Sequence, residues 1–110
     1  MNPDREAFIA KQVASIIAWF ICFLETADED SVNLDDAAKM LEYLGAELDE
    51  LDKGFLRHLV DAFPVIAEQY EGEARELVRD IPYGFYLEET LAANDPVRLA
   101  ELEAIRDARD

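Results

Sequence analysis

The stretch QVASIIAWFICFL, residues 12–24, is the longest run without a charged residue in this chain of 110 residues. As a helix, it would carry apolar side chains in almost every direction. The exceptions are small or polar residues spaced three or four apart: Lys11, Ser15, Ala18, Cys22 and Glu25. A helix that is apolar nearly all round has to be surrounded by protein. We therefore predict a long first helix, from Asn2-Pro3 to about Thr26, and a homodimer as one way of covering it.

Helical periodicity continues along the rest of the chain, interrupted by capping residues and helix breakers. The predicted helices cover residues 33–45, 49–72, 74–81, 83–93 and 97–108. Asn33 and Asp49 are the predicted N-caps, and Gly45 and Gly72 the predicted helix ends. Pro64 lacks an N–H, so we expect a kink or break beside it. The sequence thus predicts one all-α domain, residues 1–110, built as a compact bundle of five to six helices.

Charge is the most pronounced feature of the composition. The 26 acidic and 10 basic residues give a formal net charge of −16. Residues 25–52 contain eleven acids and one base, Lys39, so that this quarter of the chain has a net charge of −10. We expect no binding to nucleic acid, because that requires basic patches. The acidic excess either keeps the protein soluble or forms a landing surface for a basic protein.

Nothing in the sequence predicts a targeting or membrane-spanning segment. The uncharged run of thirteen residues is shorter than the roughly 18 that a membrane-spanning helix needs. The first residues also lack the basic start of a signal peptide. A single cysteine, Cys22, allows no internal disulfide. We therefore expect a soluble, cytoplasmic protein that does not bind membranes.

Metal-binding motifs are incomplete. The segment DEDSVNLDDAAK, residues 28–39, resembles a calcium-binding loop only at Asp28 and Asp30. The three remaining defining positions carry the wrong residue types. We expect no metal and no cofactor, and a divalent-cation site at Glu25, Asp28 and Asp30 is the weakest alternative.

Catalytic motifs are also incomplete, and we predict that the protein is not an enzyme. Cys22 lies between apolar residues, which raise the pKa of a thiol and make it unreactive. His58 is the single histidine of the chain, and a structural hydrogen bond is its expected role. Paired carboxylates are too numerous to indicate acid–base catalysis. The sequence contains no glycine-rich phosphate loop and no zinc-ligand spacing.

The stretch DIPYGFYLEE, residues 80–89, allows two interpretations. As a continuous helix, it places Tyr83 and Leu87 on the inward face and Phe85 outward among its two final acids. An exposed aromatic ring among carboxylates is typical of an interaction hot spot for a basic surface. In the alternative, Gly84 interrupts the helix and all three aromatic rings pack inward.

Binding of a basic protein is the function that these features favour. In charge and helicity the chain resembles acidic immunity proteins, which implies an inhibitor or antitoxin that neutralises a basic toxin such as a nuclease. The resemblance is one of class and carries over no residue roles. The predicted contact residues are Asp28, Glu29, Asp30, Asp35, Asp36, Phe85, Tyr86, Glu88 and Glu89. The alternative is a homo-oligomeric helical scaffold or regulatory subunit whose acids serve only solubility.

Overall fold

A computed structural model describes residues 3–26, 28, 30 and 32–109. Within these residues the chain forms helices and no strand. They are α1 (Pro3–Thr26), α2 (Leu34–Asp49), α3 (Lys53–Ala67), α4 (Gly72–Arg79), α5 (Ile81–Gly84), α6 (Leu87–Leu91) and α7 (Pro96–Arg109). The all-α class is confirmed. The described helices number seven rather than five to six, since the segment predicted as one helix over residues 83–93 is divided between α5 and α6.

Helix α3 lies at the centre of the protein. Its buried residues are Leu56, Leu59, Val60, Ala62, Phe63, Ile66 and Ala67. Helices α1, α4, α5 and α6 contact α3, while α7 packs against α6. Side chains from α1, α2, α4, α5 and α6 join those of α3 in one apolar core.

Small side chains mediate the packing of α1 against α3. Ala10, Ala14 and Ala18 are 0% exposed and follow one another at a spacing of four residues. Because their methyl groups occupy little space, the two helices can approach closely. Ala18 therefore belongs to the core face, whereas the sequence pattern assigned it to the line of small and polar residues. Bulky side chains of the same helix point away from α3: Ile16 and Trp19 are 69% and 66% exposed.

The length and composition of α1 also meet the requirements for crossing a membrane. The candidate span is Arg5–Thr26, and 28% of its apolar window is buried within the protein. The uncharged run alone is too short to span a membrane, whereas a span that tolerates two charged residues reaches the required length. Buried core helices and signal sequences have the same length and composition. The cytoplasmic location therefore stays a prediction.

Two glycines do not end helices as predicted. Helix α2 continues through Gly45 to Asp49. A Cβ atom on Gly45 would lie 3.0 Å from Cδ1 of Phe85. Glycine at this position therefore leaves room for the Phe85 ring beside the helix. Gly72 begins α4, and its φ of +60° is in the left-handed region that glycine adopts without strain.

The capping predictions are confirmed at one site and wrong at another. The side chain of Asn33 accepts hydrogen bonds from the backbone N–H groups of Asp35, at 2.8 Å, and Asp36, at 3.2 Å. Asp49, in contrast, is the last residue of α2. Asp52 is the N-cap of α3 and accepts a hydrogen bond of 2.9 Å from the backbone of Phe55.

Pro64 does not break its helix, which continues to Ala67. The missing N–H removes one helical hydrogen bond, but three flanking residues, Phe63, Ile66 and Ala67, are buried in the core. Their burial offsets the loss, since helix stability in proteins comes mainly from packing. Of the two predicted alternatives, the break at Pro64 does not occur.

Replacing Gly45 with alanine tests the packing of Phe85. Alanine is favoured over glycine in a helix by about 0.5–1 kcal/mol. We expect Gly45→Ala to destabilise the native protein, because the new methyl group displaces the Phe85 ring. In a Phe85→Ala background the same substitution should stabilise by about 0.5–1 kcal/mol. Free energies of unfolding from urea titrations give the comparison, and equal effects in the two backgrounds would contradict the contact.

Candidate protein-binding surface

A groove of about 550 Å³ lies where the end of α1, helix α2 and the α4–α5 region meet. Its apolar lining residues are Ile21, Leu41, Leu77, Ile81 and Phe85, together with the rings of Tyr83 and Tyr86. Three acidic residues, Glu25, Glu42 and Asp80, line the same groove. Glu25 and Glu42 are exposed, and Asp80 is half-buried. The arrangement combines an apolar surface with carboxylates, as recognition of a basic and partly apolar segment requires.

The aromatic segment reaches this groove because the chain turns at Tyr86. The φ of Tyr86 is +57°, which is uncommon for a residue other than glycine and separates α5 from α6. The helix is therefore interrupted, as in the second interpretation of the segment, although the turn is at Tyr86 rather than Gly84. Phe85 is half-buried against the core, and Tyr86 is 56% exposed. The continuous helix that would direct Phe85 outward is not formed.

The predicted inward residues differ in their surroundings. Leu87 is 0% exposed and belongs to the core, as predicted. Tyr83 is half-buried and is covered by arginines of α7. The guanidinium of Arg106 lies 4.0 Å from the centre of the Tyr83 ring, and that of Arg109 lies 3.8 Å from it. Cation–π contacts with α7 thus cover a ring that the sequence assigned to the core side.

Glu88 and Glu89 are paired within the protein and do not line the groove. Arg57 donates two hydrogen bonds to the Glu88 carboxylate, at 2.7 and 3.0 Å. Arg106 donates a hydrogen bond of 2.6 Å from Nε to Glu89. The hydrogen bonds from these arginines hold the pKa of each glutamate below its ordinary value. Both carboxylates are thus paired with arginines of the protein itself.

The acids of α2 have a different environment. Among the described residues, no ion pair includes Glu25 or any residue from 32 to 52. Asp35 and Asp36 occupy the first turn of α2, are exposed, and complement the positive end of the helix dipole. Asp28 and Asp30 are exposed in the preceding connection, and Glu29 lies outside the described residues. Glu25 and the acids of α2 therefore form no ion pair with an arginine or lysine of the described residues.

Of the predicted contact residues, Phe85 and Tyr86 line the groove. The residues that bring α1 and α2 to the groove were not among the predicted contacts. Glu42 and Gly45 bring α2 to the Phe85 ring, and Glu25 completes the groove from α1. The available signal was Gly45 itself. A glycine in a helical pattern can indicate a close approach by another side chain, whereas Gly45 was predicted to be a helix end.

Cys22 and His58, which were considered as candidates for chemistry, have the following surroundings. Burial raises the pKa of the Cys22 thiol, and nearby Glu25 raises it further. Nε2 of His58 lies 3.3 Å from a carboxylate oxygen of Glu6. Within the part of the chain that the structure describes, no three histidine, cysteine or acidic side chains are grouped so that they could hold a metal ion.

Comparison with known proteins finds no counterpart: no protein-family model, no curated protein and no solved structure matches this chain.

Proposed function

We propose that this protein is a binding domain that receives a basic protein on the acidic surface of α1 and α2 and in the adjoining groove. We call the set Glu25, Asp35, Asp36, Glu42 and the groove residues Phe85 and Tyr86 the acidic face. The observation that carries the proposal is the distribution of ion pairs. Within the described residues, the acids of the C-terminal half are extensively paired with arginine, whereas Glu25 and the acids of α2 are not.

An acidic cluster without ion pairs lowers the stability of the folded protein. Solubility alone does not require the acids to be clustered. Like charges concentrated on one helix repel one another and destabilise the folded state. The same cluster accelerates encounter with a basic partner and strengthens its binding. Tyr86 and Phe85 add an aromatic anchor beside the charges, and aromatic anchors supply much of the affinity in protein interfaces.

The type of partner that fits is a protein with a cationic surface, such as a toxin whose site binds phosphate groups. Clustered carboxylates can occupy such a site in place of phosphates. In this function the domain is an immunity-type inhibitor, acts without catalysis and needs no cofactor.

A defined probe tests the acidic face. The probe is a synthetic helical peptide with arginines on one side and leucines on the other, titrated into isotopically labelled protein. We expect chemical-shift changes at Ile21, Leu41 and Phe85, and an affinity that falls with added salt. Neutralising the groove with the double substitution Glu25→Gln and Glu42→Gln should weaken binding about tenfold, equivalent to about 1.4 kcal/mol.

The matched control removes the same number of charges from α7, by Glu103→Gln and Asp107→Asn, where both side chains are exposed. We expect this control to change the affinity less than about twofold, because rim charges far from a contact contribute little. Equal weakening by the two double variants would contradict a specific face and would favour acids that act only in solubility.

The outer surface of α1 favours a second function, that of a homo-oligomeric helical subunit. Phe8, Ile16 and Trp19 are each more than 60% exposed. Self-association through α1 would cover these side chains. Sedimentation should then give a mass of about 25 kDa, twice the 12.5 kDa of one chain, and a mass of one chain at micromolar concentration would contradict this function.

A further inference from the structure

The side of α1 that faces away from α3 forms one uncharged strip. We call it the outer stripe, and its members are Phe8, Gln12, Ser15, Ile16, Trp19 and Phe23. The rings of Trp19 and Phe23 are stacked, with their centres 6.0 Å apart. Phe23 is 45% exposed, and Ile16 and Trp19 are exposed by about two thirds of their surface. Large apolar side chains are thus directed into solvent along four turns of helix.

The apolar area extends onto α2. Phe20, Met40 and Tyr43 line a shallow groove of about 430 Å³ between the two helices, and Tyr43 is 71% exposed. With the outer stripe, the exposed side chains amount to roughly 750 Å², taking usual side-chain areas. The largest apolar patch of a typical monomer is about 300–600 Å². Each partner in a stable complex contributes about 800 Å².

We infer that the outer stripe binds a second copy of this chain in antiparallel orientation, with the twofold axis between residues 15 and 16. The order of side chains along the stripe fits this symmetry. Phe8 and Phe23 are equally distant from the axis along the helix, on opposite sides of it. Gln12 and Trp19 are also equally distant from it. In such a pair the two phenylalanines of opposite copies meet at each end, as the self-complementary interface of a twofold dimer requires.

Charge restricts the surface over which two copies can meet. Two chains of net charge −16 repel each other, so they can associate closely only over an uncharged surface such as the outer stripe. The antiparallel orientation places exposed Arg5 of one copy near the end of the other copy's α1, where Glu25 lies. A parallel orientation would bring the two acidic segments together. An anionic bilayer would repel the chain for the same electrostatic reason.

This inference rests on self-association through α1, the second function proposed above, and its first test is mass in solution. The native chain should sediment as a dimer. Ile16→Glu places two carboxylates next to the twofold axis and should weaken dimerisation at least 100-fold. Val97→Glu is the matched control, because Val97 is an equally exposed apolar residue on α7, at 71%, and it should leave the dimer unchanged.

Cross-linking tests the orientation, in a Cys22→Ala background with a short bismaleimide. Ser15→Cys should cross-link to itself, because it lies beside the axis. Phe8→Cys should not, since the two copies of residue 8 would be about 22 Å apart along the helices. A mixture of Phe8→Cys and Phe23→Cys proteins should cross-link between the two variants.

Each other outcome overturns a stated part of the inference. A dimer in which Phe8→Cys cross-links to itself overturns the antiparallel orientation alone. A monomer overturns both the orientation and the self-association on which it depends. A monomer that sediments with neutral phosphatidylcholine vesicles identifies a membrane, rather than a second copy, as the occupant of the outer stripe.

Discussion

Replacing Ala14 with leucine is expected to lower the free energy of unfolding by about 2–3 kcal/mol, in the range of overpacked cores. Ala14 is 0% exposed and belongs to the same core cluster as Leu59 and Phe63 of α3. The additional carbon atoms have no space between α1 and α3, so the two helices must separate or side chains must leave their preferred rotamers. Chemical denaturation followed by circular dichroism measures the change.

The control is the same substitution at an exposed helical alanine, Ala104→Leu in α7. We expect a change of less than about 0.5 kcal/mol there, as for most surface substitutions. Similar losses at the two positions would mean that Ala14 is not the close contact between α1 and α3. An unchanged midpoint for Ala14→Leu alone would lead to the same conclusion.

Replacing Arg106 with alanine is expected to lower the free energy of unfolding by about 2–3 kcal/mol. It should also loosen the packing of α7 against the rest of the protein. The Arg106 side chain is 17% exposed and makes several contacts at once. It donates hydrogen bonds to Glu89 and, at 2.7 Å, to the backbone carbonyl of Tyr83. Its guanidinium lies 3.7 Å from the centre of the Tyr86 ring. Hydrogen bonds that involve a charged group contribute about 1.5–3 kcal/mol, and alanine removes all those of the Arg106 side chain.

Acid titration separates the ion pair from simple packing. The pKa of Glu89 is lowered in the folded protein, chiefly by its hydrogen bond from Arg106. The pair therefore stabilises fully above about pH 4.3, the ordinary value for glutamate, and its contribution is lost as the pH falls through the lowered pKa. The difference between native protein and Arg106→Ala should shrink in that acidic range.

Arg98→Ala is the matched control, because Arg98 is also on α7 but its side chain is 40% exposed. Exposed ion pairs contribute at most about 1 kcal/mol to stability. We therefore expect Arg98→Ala to change the free energy of unfolding only slightly. Arg106→Lys should recover only part of the stability, since lysine does not stack or donate in the same planar arrangement. A pH-independent difference for Arg106→Ala would leave packing as its only role.

The sequence predicted those features that depend on local chemistry. The Asn33 cap requires only an acceptor side chain before a helix, and the structure has it at that position. The extent of α1 followed from its apolar run and was predicted to within a residue. Such features depend on neighbours within a few positions, so a single sequence contains the information.

Features that depend on distant contacts were not predictable in this way. Gly45 has the appearance of a helix end until Phe85 is placed against it. Glu88 has the appearance of a free acid until Arg57, 31 positions earlier, is placed beside it. The left-handed backbone at Tyr86 has no local signal, because tyrosine rarely adopts it. Tertiary packing determines each of these three features, and the hydrophobic periodicity of the sequence does not reveal it.

The uneven distribution of ion pairs has a consequence for the response of the protein to electrolyte. Dissolved cations screen the mutual repulsion among the carboxylates of α2, so folding should gain stability as salt concentration rises. The same cations compete with any cationic partner, so association on the acidic face should weaken over the same range. Rising ionic strength would then increase the stability of the fold and decrease the affinity for a partner. Low ionic strength would favour association with the proposed partner, and high ionic strength would favour the isolated folded chain.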